Sequence, residues 1–210
     1  MRRTNILCFG DSNTYGFIPD GSGRYDEDIR WTGLLQKRLG DKYNIIEEGL
    51  CGRTTVFHDE LRSGRRGIDL IGTIMETHYP VDVLVVMLGT NDCKTRYGAS
   101  AGTIAKGIEE VINKARKASQ KDPKVVLISP ILLGNGVGEE GFDTEFDEKS
   151  EEVSGKLSEE YNKVAKKYGY TFLDASSVAK PSTTDREHLD ENGHKALAVA
   201  VWQTLQELIS

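Results

Sequence analysis

Three residue types in this chain could cooperate chemically: a serine at position 12, an aspartate at 185 and a histidine at 188. Ser12 closes Gly10-Asp11-Ser12, directly after the apolar run Asn5-Ile6-Leu7-Cys8-Phe9, and Gly16 ends the turn that follows. A serine hydroxyl is a poor nucleophile until a base takes its proton. An imidazole, with an ordinary pKa of about 6.5, suits that task near neutrality. The base in turn needs an acceptor to fix its tautomer. Asp185, three residues before His188, can reach back to Nδ1 across one turn.

Attack on a carbonyl creates an oxyanion, which needs preorganised donors. The backbone N–H groups of Ser12 and Gly52 and the side-chain amide of Asn91 can supply three. Glycine at 52 suits a place where the backbone must approach a ligand closely. Taken alone, Gly-Asp-Ser-Asn-Thr-Tyr-Gly is also compatible with a phosphate-cradling loop. Asn91-Asp92 could be a simple turn. His194, with Asp190 four residues before it, reads as an exposed residue in the first turn of the last helix and as the rival base. His58 and His78 read as surface residues without a partner pattern, and no pair of histidines has metal-ligand spacing.

These groups converge only if the chain builds the right scaffold. Apolar runs at Asn5–Phe9, Tyr43–Glu47, Val81–Leu88, Lys124–Ser129 and Tyr170–Leu173 read as strands. Helical spacing separates them at Trp31–Leu39, Ile68–Met75, Ile104–Ala115, a stretch ending near Tyr168, and Ala196–Leu208. Alternating strands and helices predict an α/β fold: a five-stranded parallel sheet in a three-layer sandwich, one domain over residues 1–210. In a parallel sheet the turns carrying Ser12, Gly52 and Asn91 fall on one edge. The loop with Asp185-Arg186-Glu187-His188 joins them there. The Gly- and acid-rich stretch Leu132–Asp147 reads as a functional loop, a lid or an interface, and the loop Thr55–Gly67 as a second place for subunit contacts.

Composition narrows the partners. The chain of 210 residues has a formal net charge of −6 and no long basic patch, which argues against nucleic acid. Arg62, Arg65 and Arg66 read as a solvated face. No apolar run reaches membrane-spanning length, and Met1–Thr4 leads straight into a strand, so no cleaved signal is expected. The three cysteines, Cys8, Cys51 and Cys93, are scattered without ligand spacing. They read as small buried hydrophobes in a reducing cytoplasm, and no metal or cofactor is expected.

At these residues the chain resembles the SGNH, or GDSL, hydrolase superfamily. The matching blocks are Gly10-Asp11-Ser12, Gly52, Gly89-Thr90-Asn91-Asp92 and Asp185-x-x-His188, in the family's order and across nearly the whole chain. Ile6–Ser12, Arg30-Trp31-Thr32-Gly33, Glu47-Glu48-Gly49-Leu50 and Arg53-Thr54-Thr55 look like its small bacterial arylesterase/acyltransferase branch. The resemblance implies a flavodoxin-like sandwich, metal-independent hydrolysis of small-molecule esters, and a homo-oligomer. It makes Ser12, Asp185 and His188 the triad and Ser12, Gly52 and Asn91 the oxyanion donors. Two positions depart from the pattern: Asn13 stands where the family name has Leu, and Glu47-Glu48 replaces a frequent Asn before the glycine turn. A short-chain esterase is therefore expected, with acyl transfer to alcohols, carbohydrate O-deacetylation and acyl-CoA thioester hydrolysis as variants on the same residues. A non-catalytic phosphate- or cofactor-binding module is the alternative of another class. Asn13, Tyr15, Phe17, Trp31, Ile131 and Leu132 are the expected pocket walls.

Overall fold

In the first strand, β1 (Thr4–Gly10), successive side chains serve opposite faces of a sheet. Leu7 and Phe9 enter one apolar cluster, Ile6 and Cys8 another. The computed structural model describes residues 2–209; Met1, part of the expected run into the first strand, lies outside them. After β1 come α1 (Ser12–Tyr15), α2 (Trp31–Leu39), β2 (Tyr43–Gly49), α3 (Gly67–Thr77), β3 (Val83–Met87) and α4 (Ala101–Ala118). The chain continues through β4 (Lys124–Ser129), α5 (Glu148–Tyr168), β5 (Thr171–Asp174) and α6 (Glu191–Ile209).

The five strands form one sheet in the order β2-β1-β3-β4-β5, and every pair is parallel. Ile71 of α3, Ile104 and Ile108 of α4 and Leu157 and Tyr161 of α5 pack on the Leu7/Phe9 face. Trp31 and Leu35 of α2 and Leu197, Val201 and Leu205 of α6 cover the Ile6/Cys8 face. This is the three-layer α/β sandwich expected from the alternation of elements. All five side chains of β3 are buried, as a central strand covered on both faces requires.

Strand order reverses across β1, so the crevice between the carboxyl ends of β1 and β3 is a topological switch point, where open α/β sheets bind ligands. Ser12 follows β1 and Asn91 follows β3, one on each side of it. Element boundaries shift by a few residues from the sequence reading, β3 for example being Val83–Met87 where Val81–Leu88 is expected. β2 runs on to Gly49, α6 begins at Glu191, and the turn after β1 is a one-turn helix capped by Asp11, whose carboxylate accepts from Asn13 N. Among the described residues no helix is long and apolar enough to cross a membrane, and no group of three or more His, Cys, Asp or Glu is placed to hold a metal ion.

Candidate active site

Ser12 is the first residue of α1, so its backbone N–H has no partner within the helix. Gly10 lets the strand turn this tightly: a Cβ there would lie 2.0 Å from Thr14 Oγ1 and 2.9 Å from the Met87 carbonyl. Ser12 Oγ lies 2.8 Å from His188 Nε2, and His188 Nδ1 lies 2.6 Å from Asp185 Oδ2. The other carboxylate oxygen of Asp185 accepts from the backbone N–H groups of Glu187 (3.1 Å) and His188 (3.0 Å), which locks the loop around the imidazole. The Phe17 ring packs against the His188 ring at 4.7 Å between centroids.

Charge in this cluster is arranged for a base. Burial pulls the His188 pKa down, but the charge of Glu187 and the hydrogen bond and charge of Asp185 outweigh it, so the net direction is upward. Asp185 is held below the usual carboxylate range: burial would raise it, and its bonds to His188 more than offset that. Asp11 and Asp92, beneath the site, are pushed by burial to about 6 and about 7. Asp92 accepts from both the backbone N–H and the hydroxyl of Thr55, joining the β3 turn to the β2 turn.

The Gly52 turn is held by Arg53, to which the sequence alone assigns no role. The buried Arg53 guanidinium donates to the carbonyls of Gly10 and Glu48 and stacks 4.1 Å from the Phe9 ring centroid. It fastens the turn to the end of β1 without the asparagine frequent elsewhere. Glu47, the departure from the pattern, is bound by Arg30 (2.7 Å) and Thr32 and so ties α2 to β2. Gly52 has φ +80°, a backbone conformation that calls for glycine, while a Cβ there would meet only the movable end of the Arg62 side chain. Asn91, which lines the same cavity as Gly52, has its amide fixed by a bond from Nδ2 to the Arg53 carbonyl at 3.2 Å. Among the described residues the N–H groups of Ser12 and Gly52 donate to no protein acceptor.

Ser12, Asp185, His188, Gly52 and Asn91 thus border one cavity of about 380 Å³. The expected pocket walls fare less well: only Phe17 lines it. Trp31 and Ile131 are buried in the core cluster under α2 and α6, because both face the sheet. Leu132 is exposed elsewhere, and Tyr15 lies under the Arg24 guanidinium. Asn13 is buried and bonded to the His188 loop. The cavity is walled instead by Asp20, Arg62, Lys94, Asp143, Glu145 and Glu187, with Cys51 half-buried beside Gly52. Arg62 is therefore part of the site, not merely solvated. Glu187 was legible inside Asp185-Arg186-Glu187-His188; the others sit on loops without periodicity, where no sequence signal marks them.

His194 is corrected outright. It is fully buried, its Nδ1 accepts from the Trp31 backbone N–H at 3.3 Å, and its ring meets Tyr25 edge-on. Burial depresses it to about 4, so it is a neutral structural acceptor between α2 and α6 and does not border the cavity. His78 is half-buried and bonded to Glu48 at 3.0 Å, while His58 is exposed. The stretch Leu132–Asp147 is in part core, through Val137 and Phe146. It brings Asp143 and Glu145 to the cavity, and Gly134 N bonds the Arg186 carbonyl at 2.7 Å, bracing the His188 loop.

The chain is similar to known esterases over nearly its whole length. The native aryl esterase of M. smegmatis shares 30% identity, with 98% of this chain and 100% of that chain covered at a TM-score of 0.90. Est24, a carbohydrate acetylesterase from Sinorhizobium meliloti, shares 30% identity over 99% of this chain and 100% of that chain, also at 0.90. An acetylxylan esterase of Xylanibacter ruminicola is 24% identical over 213 residues, covering 92% of this chain. The chain spans 41% of the length of that curated relative. Residues 8–196, from the strand before the serine to the helix after the histidine, match the GDSL-like Lipase/Acylhydrolase family, and the chain belongs to it.

Proposed function

We propose that this protein is a serine esterase that works through an acyl-enzyme on Ser12. The observation that carries the reading is the unbroken chain from Ser12 Oγ to His188 Nε2 (2.8 Å) and from His188 Nδ1 to Asp185 (2.6 Å) at the rim of an open cavity. Ser12 Oγ attacks the ester carbonyl while His188 Nε2 takes its proton. Asp185 holds the imidazole and offsets its positive charge. The N–H groups of Ser12 and Gly52 and the Asn91 amide receive the oxyanion. As the ester C–O bond breaks, His188 returns the proton to the departing alcohol. Water, or a second alcohol, then attacks the acyl group with its own proton passing to His188, and Ser12 is regenerated.

The lining favours small polar esters. Asp20, Asp143, Glu145 and Glu187 outnumber Arg62 and Lys94, a balance that opposes the polyanionic nucleotide of a coenzyme A thioester. A carbohydrate or other polyol acetate fits this wall better than a long acyl chain, in line with the carbohydrate acetylesterase among the relatives. The free cysteines support a reducing compartment such as the cytoplasm. A homo-oligomer, checked by light scattering, completes the reading.

Wild type and Ser12→Ala assayed on aryl acetates, alkyl acetates, acetylated sugars and thioesters test it. The expected result is ester turnover that disappears in the variant while circular dichroism stays the same. Equal turnover in both proteins would overturn it.

A further inference from the structure

One acid in the cavity is not used by the reaction just described. Glu187 is 7% exposed, yet its side chain makes no hydrogen bond among the described residues. Its Oε1 stands 3.7 Å from His188 Nε2, beyond hydrogen-bond length, and it lines the cavity beside Ser12. Its charge faces the imidazole, and its oxygens are not sealed from the cavity, so a ligand hydroxyl there can reach them. The backbone on either side holds it in place: Glu187 N donates to Asp185, and the Glu187 carbonyl accepts from Asn13 Nδ2.

The position of Oε1 matters because Nε2 is the atom that must protonate the departing alcohol oxygen. That oxygen has to sit within hydrogen-bond reach of Nε2 when the ester C–O bond breaks. A hydroxyl on the neighbouring carbon of the same alcohol lies one carbon–carbon bond further on, on a scale matching the separation of Oε1 from Nε2. A carboxylate can accept from it, and a protonated carboxyl can donate to it, so the contact serves either state of Glu187.

We propose that Glu187 is a specificity-determining residue that binds the free hydroxyl vicinal to the scissile ester, making mono-acylated 1,2-diols and polyols the preferred substrates. The proposal rests on the serine-esterase reading. It gives the Glu187 carboxyl, which has no hydrogen bond to another protein group, a ligand hydroxyl to bind in the cavity.

The test compares kcat/KM for ethylene glycol monoacetate, its methyl ether and acetylcholine, with p-nitrophenyl acetate as a reporter of the basic reaction. For wild type the glycol ester is expected to exceed its methyl ether by about tenfold or more, the worth of one hydrogen bond to a charged group. Glu187→Leu should bring that ratio to near one. Glu187→Gln, which keeps an acceptor of equal reach, should retain part of it and guards against a folding defect in the leucine variant. Equal rates on the glycol ester and its ether in wild type would overturn the proposal, as would an unchanged ratio in Glu187→Leu. A marked preference for acetylcholine over the glycol ester would also overturn it, since charge and not the hydroxyl would then be recognised. Failure of wild type on every ester, p-nitrophenyl acetate included, would instead overturn the esterase reading itself.

Discussion

Asn13 and Leu189 are joined across the site: Asn13 Oδ1 accepts from Leu189 N at 2.8 Å, while its Nδ2 donates to the Glu187 carbonyl at 3.4 Å. The residue after the nucleophile therefore brackets the base from both sides and ties the β1 turn to the loop before α6. Asn13→Ala leaves a buried N–H unpaired, at a cost of about 1–3 kcal/mol. It is expected to lower Tm by several degrees and to reduce kcat more than it raises KM, because His188 loses its fixed distance to Ser12. Thermal unfolding and steady-state kinetics check both; an unchanged kcat would show that the bracket does not position the base.

Asn91→Ala removes the amide that we assign to the oxyanion. A fall of about 10²–10³ in kcat with little change in KM is expected. The variant also frees the Arg53 carbonyl, so a loss confined to stability, with kcat intact, would assign Asn91 to the turn alone.

The pH profile follows from the direction of the His188 shift. Catalysis needs the neutral imidazole, so kcat/KM falls as pH drops through the His188 pKa. Because Glu187 and Asp185 raise it, the acid limb should lie above the ordinary value of about 6.5. Asp185→Asn removes a charge and the bond to Nδ1 and is expected to shift the limb downward along with a large loss of kcat. A flat profile through this range would contradict the role of His188.

His194 makes the opposite kind of prediction. Its folded pKa of about 4 lies below the unfolded value, so unfolded chains take up its proton first as pH falls. The neutral ring therefore contributes stability above about pH 6.5 that is lost toward pH 4, about 3 kcal/mol in full. His194→Gln should be less stable than wild type at neutral pH, and the gap should narrow on acidification. Urea midpoints measured along that range would show it; a gap that widens would contradict the buried neutral histidine.

Much of this architecture was legible because strands and helices carry their periods in adjacent residues. The apolar run Val81 to Leu88 reads as a central strand covered on both faces, and Gly10, Gly52 and Asn91 mark strand ends whose common edge follows from a parallel sheet. His194 was misread because its burial comes from Trp31 and Tyr25, residues more than 160 positions away that no local pattern connects to it. Trp31 and Ile131 failed as pocket walls for a related reason: apolar residues beside a motif face the core unless a loop turns them outward. The true walls, Lys94, Asp143 and Glu187, are charged residues on irregular loops. Long-range contacts decide where those loops lie, among them the packing of Val137 and Phe146, the bond from Gly134 to Arg186 and the bond from Asn13 to the Glu187 carbonyl.

The central claim is that Ser12 carries the acyl group. Brief incubation with p-nitrophenyl acetate, acid quench and peptide mass spectrometry test it directly. An acetyl group on the peptide containing Ser12, absent from Ser12→Ala, is the predicted result. Ester hydrolysis by wild type that persists in Ser12→Ala, with no acetylated Ser12 peptide in either protein, would contradict it.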